Sequence, residues 1–278
     1  MEDKIEKIGK SLIQHGKVNN RIYLLKLDPR DHKNIIPMLD ELATREDYSK
    51  IFCKIQSDLF PDFLLQGYSM EAYVPQFYNG RTDCIMASKF RDEKRRLLPV
   101  REMELFIKLL SQTPVSESGF VNNHNRFHLG RLGIEDAVQV TEVFKHVFET
   151  YPFPVHDPQY IRETIIEGKA RYFGIRENGK LAGVSTAETD MAGENAEMTD
   201  FAVLPEYRGM GMAFRLLMFM EDEMRSAGIK TGYTIARLKE PGMNKTFLRA
   251  GYNYTGTLVN NTNIGGRIES MNIFYKHL

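Results

Sequence analysis

The stretch Phe201-Ala202-Val203-Leu204-Pro205-Glu206-Tyr207-Arg208-Gly209-Met210-Gly211-Met212-Ala213 reads as a strand halted at Pro205, a tight glycine turn, and an apolar helix opening near Met212. A strand that feeds a helix through Gly-x-Gly leaves several backbone N–H groups without intrahelical partners, all pointing one way. With no Cβ at Gly209 or Gly211 and only a methyl at Ala213, an anion can come close to that backbone. The helix dipole and the unpaired N–H groups then favour a phosphate or pyrophosphate. On the glycines alone, a plain turn before a core helix is the competing reading. The spacing excludes two familiar phosphate loops: no third glycine stands at the dinucleotide interval, and no Gly-Lys-Ser/Thr follows.

The flanks narrow the choice. Val-x-Pro-x-Tyr-Arg-Gly-x-Gly-x-Ala, residues 203–213, resembles the acetyl-CoA signature of the GNAT N-acetyltransferases, Arg/Gln-x-x-Gly-x-Gly/Ala with an upstream Val-x-Pro. The resemblance implies acetyl-CoA as co-substrate. It implies pantetheine along Phe201, Ala202 and Val203, and pyrophosphate around Arg208, Gly209, Met210, Gly211, Met212 and Ala213. Asn244 and Phe247, on the last helix, are implied neighbours of the cofactor arm. Phe247 stands where these enzymes frequently carry a tyrosine that protonates the leaving thiolate, which leaves water, Tyr252 or Tyr254 for that role.

Working outward, the 278 residues are long for one compact domain and comfortable for two. With 37 basic and 37 acidic residues the formal charge is zero, so neither nucleic acid nor an anionic membrane is expected as partner. Cys53 and Cys84 suit neither a metal site nor a disulfide framework, and no metal is expected. The charged start, Met-Glu-Asp-Lys-Ile-Glu-Lys, lacks a signal-peptide core and no run reaches membrane-spanning length, so a cytoplasmic protein is expected. The oligomeric state stays open, a homodimer included.

Arg21–Leu27 predicts a strand, and Ile35–Gln56 carries helical apolar spacing with a break around Thr44–Tyr48. Residues 67–78 and 83–90 predict two strands joined by Asn79-Gly80. A helix ends near Leu110, and the Pro, Ser, Gly and Asn of residues 113–125 mark a linker. This gives an N-terminal α/β unit over 1–112 and a second unit over 126–278. The second unit predicts β-α-β-β-β-α-β-α-β-β, which matches a GNAT mixed sheet flanked by helices, with an abbreviated first helical region. Gly67-Tyr68 and Gly251-Tyr252 each sit between a helix and a strand, which points to the first unit as a degenerate half of the same fold.

Acetyl transfer needs a neutral amine, yet an alkyl ammonium has a pKa of about 10.4, so a carboxylate must take its proton. Glu197, on the strand before the turn, stands where many GNAT enzymes place the general base, and Asp200 is its rival. In a regular strand the two point to opposite faces, so a bulge is needed for both to serve one pocket. Glu188 and Asp190 on the preceding strand add negative charge. Tyr151-Pro152-Phe153-Pro154, stiff and aromatic, makes a candidate pocket wall through Tyr151 and Phe153.

Further stretches resemble the beta-lysine N-acetyltransferases, which make the osmolyte N-epsilon-acetyl-beta-lysine: Gln14–Leu24, Thr150–Pro154, Ala187–Asp190 with Asn195–Phe201, and Asn260–Thr262 with Glu269–Asn272. That resemblance implies a free diamino acid as small-molecule acceptor, with acids around its ammonium groups. Its carboxylate needs a cation or amide donors, for which Arg171, Arg237 and Asn260 are candidates. Another amine acceptor (lysine, a polyamine, a protein N-terminus) or a non-catalytic acyl-CoA-binding module are the alternatives.

Overall fold

The computed structural model describes residues 3–115, 126–149, 151 and 153–278. Most of the expected linker, residues 116–125, and Thr150 and Pro152 of the aromatic stretch lie outside the described residues. Among those described, no helix is long and apolar enough to cross a membrane.

The first sheet is built from β1 (Lys4–Ile8), β2 (Ser11–Gly16), β3 (Arg21–Lys26), helix α1 (Ile35–Arg45), β4 (Lys50–Gln56), α2 (Phe60–Leu65), β5 (Ser69–Tyr78) and β6 (Thr82–Phe90). The short α3 (Glu93–Arg96) and α4 (Val100–Gln112) follow. The second sheet comprises β7 (Phe127–Leu132), α5 (Ala137–Val147), α6 (Pro158–Ile166), β8 (Ala170–Glu177), β9 (Lys180–Asp190), β10 (Asn195–Val203), α7 (Met212–Ser226), β11 (Thr231–Arg237), α8 (Pro241–Arg249), β12 (Asn253–Ile264) and β13 (Arg267–His277).

Three expectations need correction. The helical spacing assigned to Ile35–Gln56 ends at Arg45, and Lys50–Gln56 is a strand. Ile51, Cys53 and Ile55 face α1 while Phe52 faces the second sheet, so burial on both faces hides the strand's alternation. Residues 4–16, assigned to nothing, form two strands. The first helical region of the second unit is not abbreviated: Pro158 at the first turn and Asp157, whose side chain accepts from the Gln159 N–H, start a second helix there.

The strand orders are β1-β2-β3-β4-β6-β5 and β12-β13-β11-β10-β9-β8-β7. Within them β3-β4-β6-β5 repeats β10-β11-β13-β12. Each has one parallel pair, β3 with β4 and β10 with β11, followed by antiparallel neighbours. Gly67 (φ +86°) and Gly251 (φ +80°) end corresponding helices in the left-handed region that glycine adopts without strain. The first unit therefore repeats the strand pairing of half of the second.

One face of the second sheet carries α7, α8 and α4, whose Phe106 packs on Tyr254 and Phe274. The other face is shared. Helices α5 and α6 cover its β7–β10 end, and the first sheet covers its β11–β13 end through Tyr23, Phe52, Val74 and Phe77 against Tyr233 and Ile273. A polar seam locks the two units: Arg21 Nη1 donates to the Asn261 carbonyl (2.7 Å), Lys50 Nζ to the Val259 carbonyl (2.8 Å) and Glu71 (2.7 Å), and Arg95 Nε to the Asn260 carbonyl (3.0 Å).

Candidate active site

The turn after β10 has the geometry that its glycines predict. Gly209 and Gly211 sit at φ +79° and +73°, where any side chain is strained, and a Cβ at Gly209 would meet nothing. The ladder of α7 opens with the Arg215 N–H donating to the Gly211 carbonyl (3.1 Å). The first-turn amides therefore face outward at the positive end of a 15-residue helix. Arg208, Gly209 and Met210 are exposed on this turn, Gly211 and Ala213 are half-buried, and Met212 is buried in the core. An unstrained, open cradle of this kind fits a pyrophosphate.

Strand β10 pairs with β11 only over Asn195–Glu197. From Met198 to Val203 its β11 edge has no register partner, so the backbone of Phe201, Ala202 and Val203 borders a gap between two strands of one sheet. An extended amide chain can pair in such a gap as an added strand. Asn244 and Phe247 lie behind it rather than in it. Asn244 is fully buried, with its amide hydrogens directed to the carbonyls of Arg237, Leu238 and Glu240 and its oxygen accepting from Asn272 (2.9 Å). Phe247 is core, edge-on to Phe201 at 5.7 Å. Tyr252 is buried on the α7 face of the sheet, and the Tyr254 hydroxyl is paired with Thr257 (2.7 Å).

The required bulge is present. Register between β9 and β10 slips between Thr199 and Ala202, and Asp200 takes a left-handed φ of +54°. Ala196 and Met198 point into the α7 core before the slip, and Phe201 and Val203 after it. Glu197, Thr199 and Asp200 consequently share the opposite face, the one between α5/α6 and the first sheet. Glu188 is the direct register partner of Glu197 and joins them. Asp200 is 8% exposed, and its Oδ1 accepts from the Tyr151 hydroxyl and from Thr199 (3.3 Å).

Three carboxylates thus converge in a crevice. Burial raises the pKa of each; the neighbouring Glu197 and Asp200 raise Glu188 further, while Tyr151 and Thr199 pull Asp200 partly back. Glu188 remains exposed and Glu197 half-buried, so solvent reaches the acids from the crevice although protein surrounds them. Tyr151, Tyr160 and Tyr172 line the α5/α6 side, and burial beside Asp200 and Glu188 keeps their hydroxyls protonated. Phe153 packs in the same wall. The opposite wall carries Tyr23, Tyr233 and Lys54, whose Nζ donates to the Tyr233 hydroxyl (2.9 Å). Burial works against the Lys54 charge, but Tyr23, Tyr233 and Glu197 outweigh it and hold the ammonium protonated.

Two expected acceptor residues are not brought here. Asp190 sits at the β9–β10 turn, accepting from the Gly193 N–H (3.2 Å) and facing Lys26 (3.7 Å). Asn260 donates its amide to the carbonyls of Arg95 and Leu97 (2.9 Å each) in the seam between units. Sequence reasoning missed Lys54, Tyr23, Tyr233 and Tyr160. A lone lysine inside Ile51-Phe52-Cys53-Lys54-Ile55 was a usable signal, since an interior charge needs a local reason.

Residues 138–252, which include the turn, the bulge and the acids, match the acetyltransferase (GNAT) family model. A beta-lysine N(6)-acetyltransferase of Methanococcus maripaludis is 38% identical over 275 residues, covering 99% of this chain and 98% of that protein. The N-acetyltransferase YodP of Bacillus subtilis is 30% identical over 96% of each. A beta-lysine N(6)-acetyltransferase of Methanosarcina mazei is 28% identical over 88% of this chain and 97% of that protein. Similarity that takes in both sheets admits one assignment: the chain belongs to the GNAT family and is an enzyme that acetylates amines.

Proposed function

We propose that the enzyme transfers an acetyl group from acetyl-CoA to the terminal amine of beta-lysine, giving N6-acetyl-beta-lysine for use as a compatible solute in the cytoplasm. The observation that carries this reading is the convergence of Glu188, Glu197 and Asp200 on one solvent-reached crevice beside the β10–β11 gap. Beta-lysine presents two ammonium groups, and a crevice with three acids suits a dication. Relatives named for this activity, matched over nearly their whole length, agree with it.

The roles follow from position. The turn at Arg208–Ala213 and the free β10 edge at Phe201–Val203 would hold acetyl-CoA, whose thioester supplies the activated acetyl group. Glu197 lies at the last paired residue before the strands part and is reached by solvent, so it takes the proton of the terminal ammonium. Its raised pKa brings it closer to the working pH, which suits a base. The neutral amine then attacks the thioester carbonyl to form the C–N bond, its surplus N–H proton passes through water to the thiolate as the C–S bond breaks, and the proton on Glu197 leaves to solvent. Asp200, fixed by Tyr151 and Thr199, and Glu188 supply negative charge to the second ammonium. With Phe247 in the hydrophobic core and Tyr252 on the far face, solvent water protonates the departing thiolate, whose pKa near about 8.5 demands little help.

The test is kcat/KM for beta-lysine against alpha-lysine and spermidine, read as thiol release. Moving the second ammonium by one carbon misplaces it against fixed acids, a mismatch of several kcal/mol, so beta-lysine should lead alpha-lysine by about 10²-fold or more. Equal values for the two isomers, or a preference for spermidine, would remove the substrate and leave the family.

A further inference from the structure

We infer that Lys54, supplied by the first sheet, is the cation that receives the carboxylate of the acceptor, so that the N-terminal unit completes the acceptor site. The inference rests on an amino-acid acceptor, as proposed above, and its experiment separates the two.

The acids of the crevice provide for ammonium groups, but an amino acid also brings an anion. A carboxylate placed among Glu188, Glu197 and Asp200 without a cation would be repelled. The cations nearest in sequence to the site are otherwise engaged. Arg171 pairs in register with Ala187, on the α7 face, and donates to the Met191 sulfur (3.9 Å). Arg237 is bound to Glu269 (2.8 Å) and Glu240 (3.2 Å). Lys50, two positions along the same face of β4, is held by Glu71 and the Val259 carbonyl.

Lys54 differs from all of these. It shares with Lys50 and Phe52 the β4 face turned to the second sheet. Its ammonium lies over the rings of Tyr23 (5.6 Å) and Tyr233 (5.3 Å). An ammonium has three N–H donors. The Tyr233 hydroxyl accepts one and the Tyr23 hydroxyl a second, which leaves the third, and among the described residues no carboxylate forms an ion pair with Lys54. Tyr233 is the register partner of Glu197, which places the Lys54 head beside the carboxylate row but not in a salt bridge with it. Lys54 is only half-buried, so it opens on the same solvent-filled crevice. A crevice with acids along one wall and, among the described residues, the Lys54 head on the other matches a molecule bearing two ammonium groups and one carboxylate.

The experiment compares each acceptor with its carboxamide: beta-lysine with beta-lysinamide, and lysine with lysinamide, in wild type, Lys54→Met and Lys54→Arg. Wild type should favour the acid, and Lys54→Met should raise KM for the acid by about tenfold or more while leaving the amide and acetyl-CoA KM values near wild type. Lys54→Arg should restore part of the preference. A folded Lys54→Met, judged by its thermal melt, that keeps the acid-over-amide preference overturns the inference, as does a wild type without that preference. Turnover of the lysine pair but not the beta-lysine pair would remove the proposed substrate instead, with Lys54 then judged on the lysine pair.

Discussion

Replacing Glu188 by Gln should raise the melting temperature above neutral pH and leave it near wild type below about pH 4. Glu188 and Glu197 face each other across the β9–β10 ladder, so their Cβ atoms are about 5 Å apart. Two like charges at about 5 Å repel by about 0.8 kcal/mol at the dielectric constant of water and about 3.3 kcal/mol at an effective value near 20. Solvent reaches Glu188, which places the pair toward the screened end, about 1–2 kcal/mol or about one pKa unit. The sign is fixed: Glu188, pushed up to about 8 by burial and then by Glu197 and Asp200, takes its charge last and beside acids already ionised, so the substitution removes a repulsion felt only at higher pH. Thermal stability against pH is the readout. A carboxylate whose folded pKa is raised favours the fold below its unfolded pKa and loses that contribution as pH climbs through the folded value. Glu188→Gln should therefore melt higher than wild type above neutral pH, with the advantage vanishing below about pH 4. Lys54→Met, which removes a positive charge from the same crevice, should shift the acidic limb of kcat/KM upward. A melting temperature that follows wild type at every pH in folded Glu188→Gln would refute a shared site for Glu188 and the base.

Gly211→Val forces a branched side chain into φ +73° beside the proposed pyrophosphate; KM for acetyl-CoA should rise about tenfold or more, and an unchanged KM in a folded variant would displace the cofactor from this turn. Glu197→Gln should lower kcat by about 10²- to 10⁴-fold with CoA affinity by calorimetry unaltered, and Asp200→Asn should do less; full activity of Glu197→Gln across pH would move the base to another group. Lys50 and Glu71 are buried, at 0% and 6% side-chain exposure, and Lys50→Met strands the Glu71 charge. Its cost should be about 3–5 kcal/mol, largely recovered in the double variant with Glu71→Gln, and additive losses in that cycle would show that the two do not act as a pair.

What sequence conveyed and what it withheld divide along physical lines. The glycine turn was legible because left-handed backbone at two positions just ahead of a helix leaves a compositional trace, Gly209 and Gly211. The bulge at Asp200 left none: aspartate tolerates φ +54° but does not demand it, so only the stated need for both acids in one pocket pointed there. Asn260 and Asn244 show the opposite failure. Both were implicated by resemblance, yet their amides satisfy backbone carbonyls, those of Leu238 and Arg95 among them. The stretches Gln14–Leu24 and Asn260–Thr262, noticed separately, in fact touch, with Arg21 donating to Asn261 and Thr262 across the seam.

Strand β4 explains the largest omission. Read as a continuation of α1, it offered no reason to relate Lys54 to Glu197; as a strand, its alternation delivers Lys50, Phe52 and Lys54 to the second sheet and Ile51, Cys53 and Ile55 to α1. The same half-fold that β10 and α7 use for a phosphate turn runs here from β3 to α1 through Pro29, without a glycine, and α1 starts at Asn34 with no side-chain cap. That connection lacks the left-handed glycine pair that shapes the turn between β10 and α7. Its β4 face instead closes the crevice over the β10–β11 gap, and a truncated second unit lacking residues 1–112 would open Tyr233, Ile273 and the acid row to water together. On the proposed reading the first sheet is a wall of the site rather than an appendage to it, and among the described residues Lys54 is the charged head of that sheet that acts on Glu197.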